Sequence, residues 1–274
     1  MKYCVVDAFT QYPFGGNPAA VVILDRLLAD DQLQSVAAEF NLSETAFLHK
    51  KDDGRWHLRW FTPKVEIELC GHATLASAHA LWHEFGQAGD ELIFSTLSGD
   101  LIVRRNTSEG DSGNLEMAFP PKLSTPINLP ADLLDQLRLQ PLAVVQAANK
   151  CLIEVPTSDL VLNYKADSAV ILQLPAQGMI LTAENNSAEF LVGGVPADFV
   201  SRFFAPAVGI AEDPVTGSAH CVLGPYWSEK LGKNELLAKQ ISERGGELNL
   251  RVTDEYVFIG GQAVTVMKGE LSNV

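Results

Sequence analysis

No run of apolar residues in this chain approaches the roughly 20 needed to span a bilayer. The opening MKYCVVDAF has one early lysine but no apolar stretch ending in small residues, as a secretory leader would. A cytoplasmic location is therefore expected. Positive charge is scarce: 20 Lys+Arg stand against 34 Asp+Glu, a formal charge of -14. That balance opposes counterion-release binding to phosphate backbones and attraction to anionic lipid, so neither nucleic acid nor membrane is an expected partner. Cysteine is sparse too. Cys4, Cys70, Cys151 and Cys221 lie far apart with no CxxC pair, which argues against a disulfide framework or a zinc ribbon and for reduced thiols.

Two further motifs are incomplete. His79 and His83 have the i,i+4 spacing of a shared metal face, but they lack the glutamate of HExxH and a third ligand, so no metal is expected. Phe14-Gly15-Gly16-Asn17-Pro18 lacks the Lys-Ser/Thr of a phosphate loop and the spacing of a dinucleotide fingerprint. It reads as a backbone turn beside a cleft, and no cofactor is implied.

What the chain does have is many short β-rich runs, among them CVVDAF, TAFLHK, WHLRWF, ELIFST, AEFLVG, ELNLRV and AVTVMK. Fewer helical stretches separate them, over about 30–40, 72–85, 218–231 and 236–241. The pattern is α+β. Pro120, Pro121, Pro126 and Pro130 cluster near the middle and disfavour a continuous helix or a central strand. The expected division is therefore 1–118, with the last residues from about 265 to 274 returning to it, and 119–264.

The two halves repeat. Phe47, Leu48, Arg59, Phe61, Pro63, Val65 and Ile67 recur 143 positions later as Phe190, Leu191, Arg202, Phe204, Pro206, Val208 and Ile210. Seven identities over 21 aligned positions far exceeds the roughly one in twenty per position that average usage gives. After three extra residues in the second copy, Gly71-His72-Ala73 aligns with Gly217-Ser218-Ala219 at the start of a small-residue, nearly uncharged helix. Such a helix suits deep burial, with a sheet wrapped around it. Its first backbone N–H groups lack intrahelical acceptors and carry partial positive charge, which makes the start a natural carboxylate site.

Candidate chemistry gathers around those starts. Glu44, in NLSETAFLH, stands where the repeat puts Ser187. It is either an acid–base group supplied by one half only or a helix-capping loop carboxylate. Asp213, in the insertion of IAEDPVTGSAH, is a second acid–base candidate or the anchor of an Asx turn. His72 and Ser218 can add side-chain contacts to the N–H groups of Gly71, Ala73, Gly217 and Ala219. Cys70, opposite Thr216 in the repeat, is a thiolate at a helix start or an inert buried thiol. A two-cysteine epimerase is excluded.

Together DAFTQYPFGGNPAAVV, NLSETAFL, FTPKVEIELCGHATLASAHAL, GIAEDPVTGSAH and ERGGELNLRV resemble, in order and nearly end to end, the signatures of the phenazine-biosynthesis (PhzF-like) isomerase family. The resemblance implies two pseudo-symmetric domains like those of diaminopimelate epimerase, each a mixed sheet rolled around a central helix, with the site in the cleft between them. It implies Glu44 as the carboxylate that takes a proton from one carbon and returns it to another. His72, Asp213 and Ser218, with Gly71 and Gly217, would line the cleft. The expected activity is a cofactor-independent isomerisation of a small anionic, carboxylate-bearing metabolite, in a protein that can form a homodimer. Two alternatives stand beside it: an amino-acid racemase or epimerase using Cys70, and a metabolite-binding protein on the same scaffold.

Overall fold

A computed structural model of the chain describes residues 1–106 and 113–272. Two compact units emerge: Met1–Ala118 with Gly260–Val274, and Phe119–Ile259. Each is α+β, built from a mixed sheet and one helix that is apolar on nearly all sides. No helix among the described residues is long and apolar enough to cross a membrane.

In the first unit, strand Lys2–Ala8 lies antiparallel to both Asn17–Ile23 and Ala263–Glu270. Asn17–Ile23 then runs parallel to Glu44–Lys50, with helix Asp30–Phe40 as the crossover. Glu44–Lys50 pairs antiparallel with Trp56–Phe61. That strand is parallel to Glu91–Thr96 across helix Gly71–His83, and a hairpin leads on to Gly99–Arg105. Every residue of this helix from His72 to Trp82 is buried. Alanine, serine and threonine let strands approach its axis, and the hydroxyls find partners inside the helix. Thr74 Oγ1 donates to the Cys70 carbonyl at 2.6 Å and Ser77 Oγ to that of Ala73 at 2.7 Å.

The second unit repeats this order of strands. Lys150–Glu154 is parallel to Gly178–Glu184, which is antiparallel to Phe199–Ala205. Phe199–Ala205 is parallel to Glu235–Gln240 across helix Gly217–Leu231, and Gly246–Val252 completes the hairpin. Pro225 sits inside the helix and removes one backbone donor. The freed carbonyl of Cys221 accepts from the Lys122 N–H at 2.9 Å instead.

The helix expected over 236–241 is strand Glu235–Gln240. Leu, Ala, Lys and Gln favour helix, but Leu236, Ala238 and Gln240 alternate into the interior while the backbone pairs on both sides. Tertiary pairing overrides propensity here. The strand expected in AEFLVG shrinks to Leu191–Val192. Strands not named from the sequence include Asn17–Ile23, Lys150–Glu154, Phe199–Ala205 and Val257–Gly261.

Strand register also revises the repeat. Phe61 pairs with Thr45 in one unit and Phe204 with Met179 in the other, so the residue equivalent to Glu44 is Gly178, not Ser187. A Cβ on Gly178 would lie 2.5 Å from the Phe203 ring, so this place in the second unit has no room for a side chain. The extra residues of the second copy form the short turn Pro206–Val208. Asp213 lies beyond that turn: it pairs with Phe203 as Ile67 pairs with Trp60. The shared arginines are equivalent. Arg59 holds Glu66 bidentately, with both bonds at 2.7 Å, and Arg202 holds Glu212 at 2.6 and 2.7 Å. Each guanidinium also lies 5.0 Å from a phenylalanine ring, Phe61 or Phe204.

Each central helix encloses a histidine, and burial pushes the imidazoles of His79 and His220 down to about 4. Both are neutral in the fold and gain protons more readily once unfolded. Their contribution to stability is therefore complete above about pH 6.5 and is lost as pH falls toward 4. Denaturant titration should show a loss on the order of 2 to 3 kcal/mol per histidine between pH 7 and 4.5. His220→Gln should flatten that slope; an unchanged slope would count against this origin.

Candidate active site

The site in the first unit begins with a tight turn. Gly16 has φ +60°, and a Cβ there would fall 2.1 Å from the Ala8 carbonyl oxygen, so only glycine brings the chain back against the first strand. The turn is tied by the Phe14 N–H, which donates to Asp7 Oδ2 at 2.7 Å. The next residue, Asn17, is completely buried.

Glu44, Cys70 and His72 come together at the start of helix Gly71–His83. Glu44 is the first residue of a central strand, Cys70 is the helix N-cap, and His72 lies in the first turn. All three are about 93% buried, with exposures of 7%, 7% and 6%. His72 bridges the other two. Its Nε2 is 3.1 Å from Glu44 Oε2, and its Nδ1 is 3.5 Å from Cys70 Sγ and 3.2 Å from Asn17 Nδ2. The Nε2–Oε2 approach lacks hydrogen-bond alignment, and neither atom has another partner among the described residues. Glu44 is thus neither a solvated loop carboxylate nor a cap.

Burial works against charge on His72, but Cys70 and Glu44 outweigh it and hold the imidazolium well above the ordinary histidine range. Burial pushes the Cys70 thiol up and Glu44 adds to this, against smaller opposing contributions from the charge and hydrogen bond of His72 and from the Ala73 N–H. A protonated thiol cannot supply the negative charge that favours the imidazolium, so Glu44 is the physical source. The arrangement is an ion pair flanked by a neutral thiol, at the positive end of a helix. It can move a proton to or from a group placed beside Glu44. The same three side chains offer one oxygen, one sulfur and one nitrogen within 4.8 Å of one another.

The second unit presents a different helix start. Asp213 Oδ2 accepts from Thr216 Oγ1 at 2.5 Å, Gln240 Oε1 accepts from the Thr216 N–H at 2.9 Å, and Gln240 Nε2 donates to the Asp213 carbonyl at 2.8 Å. Asp213 is 9% exposed and Gln240 is buried, so the carboxylate is built into the turn that delivers the helix. Gly217 and Ala219 are buried, and Ser218 is exposed. Ser218 thus matches His72 in sequence while differing from it in burial.

Asn17 and Gln240 did not stand out as functional in the sequence. Asn17 lies in a glycine-rich segment whose strand is hidden by the turn before it, and Gln240 in a segment that reads as helix. A primary amide suits both protonation states of His72: its NH2 donates to a neutral Nδ1, and with the amide rotated its oxygen accepts from a protonated one. Asn17→Leu should lower kcat by roughly tenfold, equivalent to about 1.4 kcal/mol, and displace the pH–rate profile. An unmoved profile would reduce Asn17 to a packing residue.

The model of the PhzC-PhzF family, phenazine biosynthesis-like proteins, matches residues 6–269. An uncharacterized isomerase of Halalkalibacterium halodurans is 47% identical over 269 residues, covering 97% of each chain. A crystal structure of a PhzF-family phenazine biosynthesis protein from Enterococcus faecalis superposes with a TM-score of 0.90 at 37% identity, over 98% of each chain. At 11% identity a hydroxyproline epimerase from Agrobacterium vitis shares the fold, with a TM-score of 0.62 over 98% of this chain and 91% of its own. The chain belongs to the PhzC-PhzF family of phenazine biosynthesis-like proteins and is an isomerase.

Proposed function

We propose that the protein moves a proton between two carbons of a small carboxylate-bearing metabolite, with Glu44 as the shuttling acid–base group. The observation that carries this reading is the contact of a buried Glu44 carboxylate with His72 at a helix start. Ionised Glu44 takes a proton from an acidic carbon, and the C–H electron pair delocalises toward the substrate's unsaturated or carboxylate group. The resulting carboxylic acid returns the same proton to another carbon, so atoms and charge balance with no further reactant. His72 stabilises the ionised form of Glu44 before and after the transfer. First-turn N–H groups, those of Gly71 and His72, are assigned to offset the charge that develops on substrate oxygen.

At the helix start of the second unit, Gly217 and Ser218 are assigned to carboxylate binding, with the exposed Ser218 hydroxyl as side-chain donor; the Ala219 N–H already donates to the Thr216 carbonyl at 3.1 Å. The bond from Thr216 Oγ1 to the Asp213 carboxylate and that from Gln240 Nε2 to the Asp213 carbonyl support an anchoring role for Asp213 in the turn before that start. A second reading is favoured by one observation, the Cys70 thiol 3.5 Å from His72 Nδ1. A protonated thiol can deliver a proton from a second position, as an epimerase requires.

Glu44→Gln keeps size and removes proton transfer. It should lower isomerisation, and exchange of solvent deuterium into product, by about 100- to 10,000-fold; a wild-type rate would end the proposal. If Ser218 grips the ground-state carboxylate, Ser218→Ala raises KM about 2- to 10-fold at nearly constant kcat, the equivalent of one net hydrogen bond. Ligand protection of Cys70 from alkylation, with activity lost on alkylation, would favour the epimerase reading.

A further inference from the structure

We propose that Glu44, Cys70 and His72 form a binding site for a thiophilic divalent cation of the Zn2+ type, and that the ion inhibits the enzyme by occupying its acid–base group. The binding half stands on geometry alone; the inhibition half rests on the role proposed above for Glu44.

One donor atom from each residue lies within 4.8 Å of the other two. A tetrahedral zinc ion with ligand bonds of about 2.0 to 2.3 Å holds its donors roughly 3.3 to 3.8 Å apart. Glu44 Oε2 lies 3.1 Å from His72 Nε2, whereas the 3.5 Å approach of Cys70 Sγ is to Nδ1; an ion takes one ring nitrogen only, so donors that now lie within 4.8 Å of one another must draw in by up to about 1 Å through side-chain rotation to reach that spacing. A second observation points to a ligand. Glu44 Oε2 and His72 Nε2 are more than nine-tenths buried, adjacent, and without an aligned hydrogen-bond partner among the described residues. Both are donors that a metal ion would satisfy.

The donor set selects the kind of ion. Thiolate and imidazole favour Zn2+, Co2+ and Cu+ over Mg2+ and Ca2+, which take oxygen. With three protein ligands the fourth position stays open to water or to a substrate carboxylate. Binding releases the Cys70 proton, and any proton carried by His72, to the buffer. The formal charge of -14 draws cations toward the protein as a whole. The ion and the shuttled proton compete for the same Glu44 oxygens.

The test is a Co2+ titration of the whole chain, followed by absorption. The expected result is a near-ultraviolet thiolate-to-cobalt band with tetrahedral visible bands, both erased when Zn2+ is added. Cys70→Ser, nearly isosteric, should abolish the thiolate band, and Glu44→Gln and His72→Gln should each weaken Co2+ binding at least about tenfold. Circular dichroism of each variant shows whether the fold persists. No thiolate band in the wild type, or a band that survives in folded Cys70→Ser, overturns the site. In the assay, Zn2+ should inhibit the wild type and a chelator restore it; metal binding without inhibition overturns the inhibition half alone. The spectra need no turnover, so they report on the site even if Glu44→Gln isomerises normally and the acid–base proposal fails.

Discussion

The Gly71–His83 helix has no polar face, so strands must cover it on every side. Lys2–Ala8, Asn17–Ile23, Glu44–Lys50 and Ala263–Glu270 all pack against it. Once it is enclosed, its first turn is the place where backbone donors meet chemistry. Two side chains reach that turn from neighbouring strands, Asn17 and Glu44, each as the first residue of its strand. The ion pair of Glu44 with His72, and the thiol beside it, follow from this enclosure. Water is thin there, so each charge depends on its neighbour far more than it would at the surface.

Duplication gives the fold its economy, and register shows how the copies diverged. The Arg–Phe–Glu clusters of Arg59 and Arg202 are nearly superposable in their distances, because bidentate pairing and ring stacking tolerate little change. Positions at the two helix starts are freer. Where one copy carries Glu44 the other has Gly178, with the Phe203 ring filling the space. Ile67 of the first unit gives way to Asp213 in the second, where the carboxylate and Gln240 lock the turn before the helix; in the first unit the N-cap is Cys70, with no side-chain capping bond. The first unit thereby gathers a carboxylate, an imidazole and a thiol at its helix start, and the second presents a helix start tied by Asp213 and Gln240.

Much of this was legible in the chain. Small-residue helices after Gly71 and Gly217, the shared arginines, and Glu44, Cys70 and His72 as separate candidates could be read from composition, repetition and motif resemblance; that these three side chains meet at one helix start could not. The matches of Phe190, Leu191 and Ile210 misled, since identity at a fixed spacing assumes equal loop lengths. The hairpins and crossovers of the two units differ in length, so the true partners of Glu44 and Ile67 emerge only from the strand ladder.

The sequence by itself determined the α+β class, the two enclosed helices and the residue types available for catalysis, because periodicity, side-chain size and local backbone freedom are properties of short segments. The tertiary structure decided that Glu235–Gln240 is a strand, that Asn17 holds His72, and that Glu44 faces an imidazole while Asp213 is bound into a turn. These depend on register and on burial, set by which segments of distant sequence pair and how far water is excluded between them. A carboxylate's role follows from its neighbours, and neighbours are assigned by the fold.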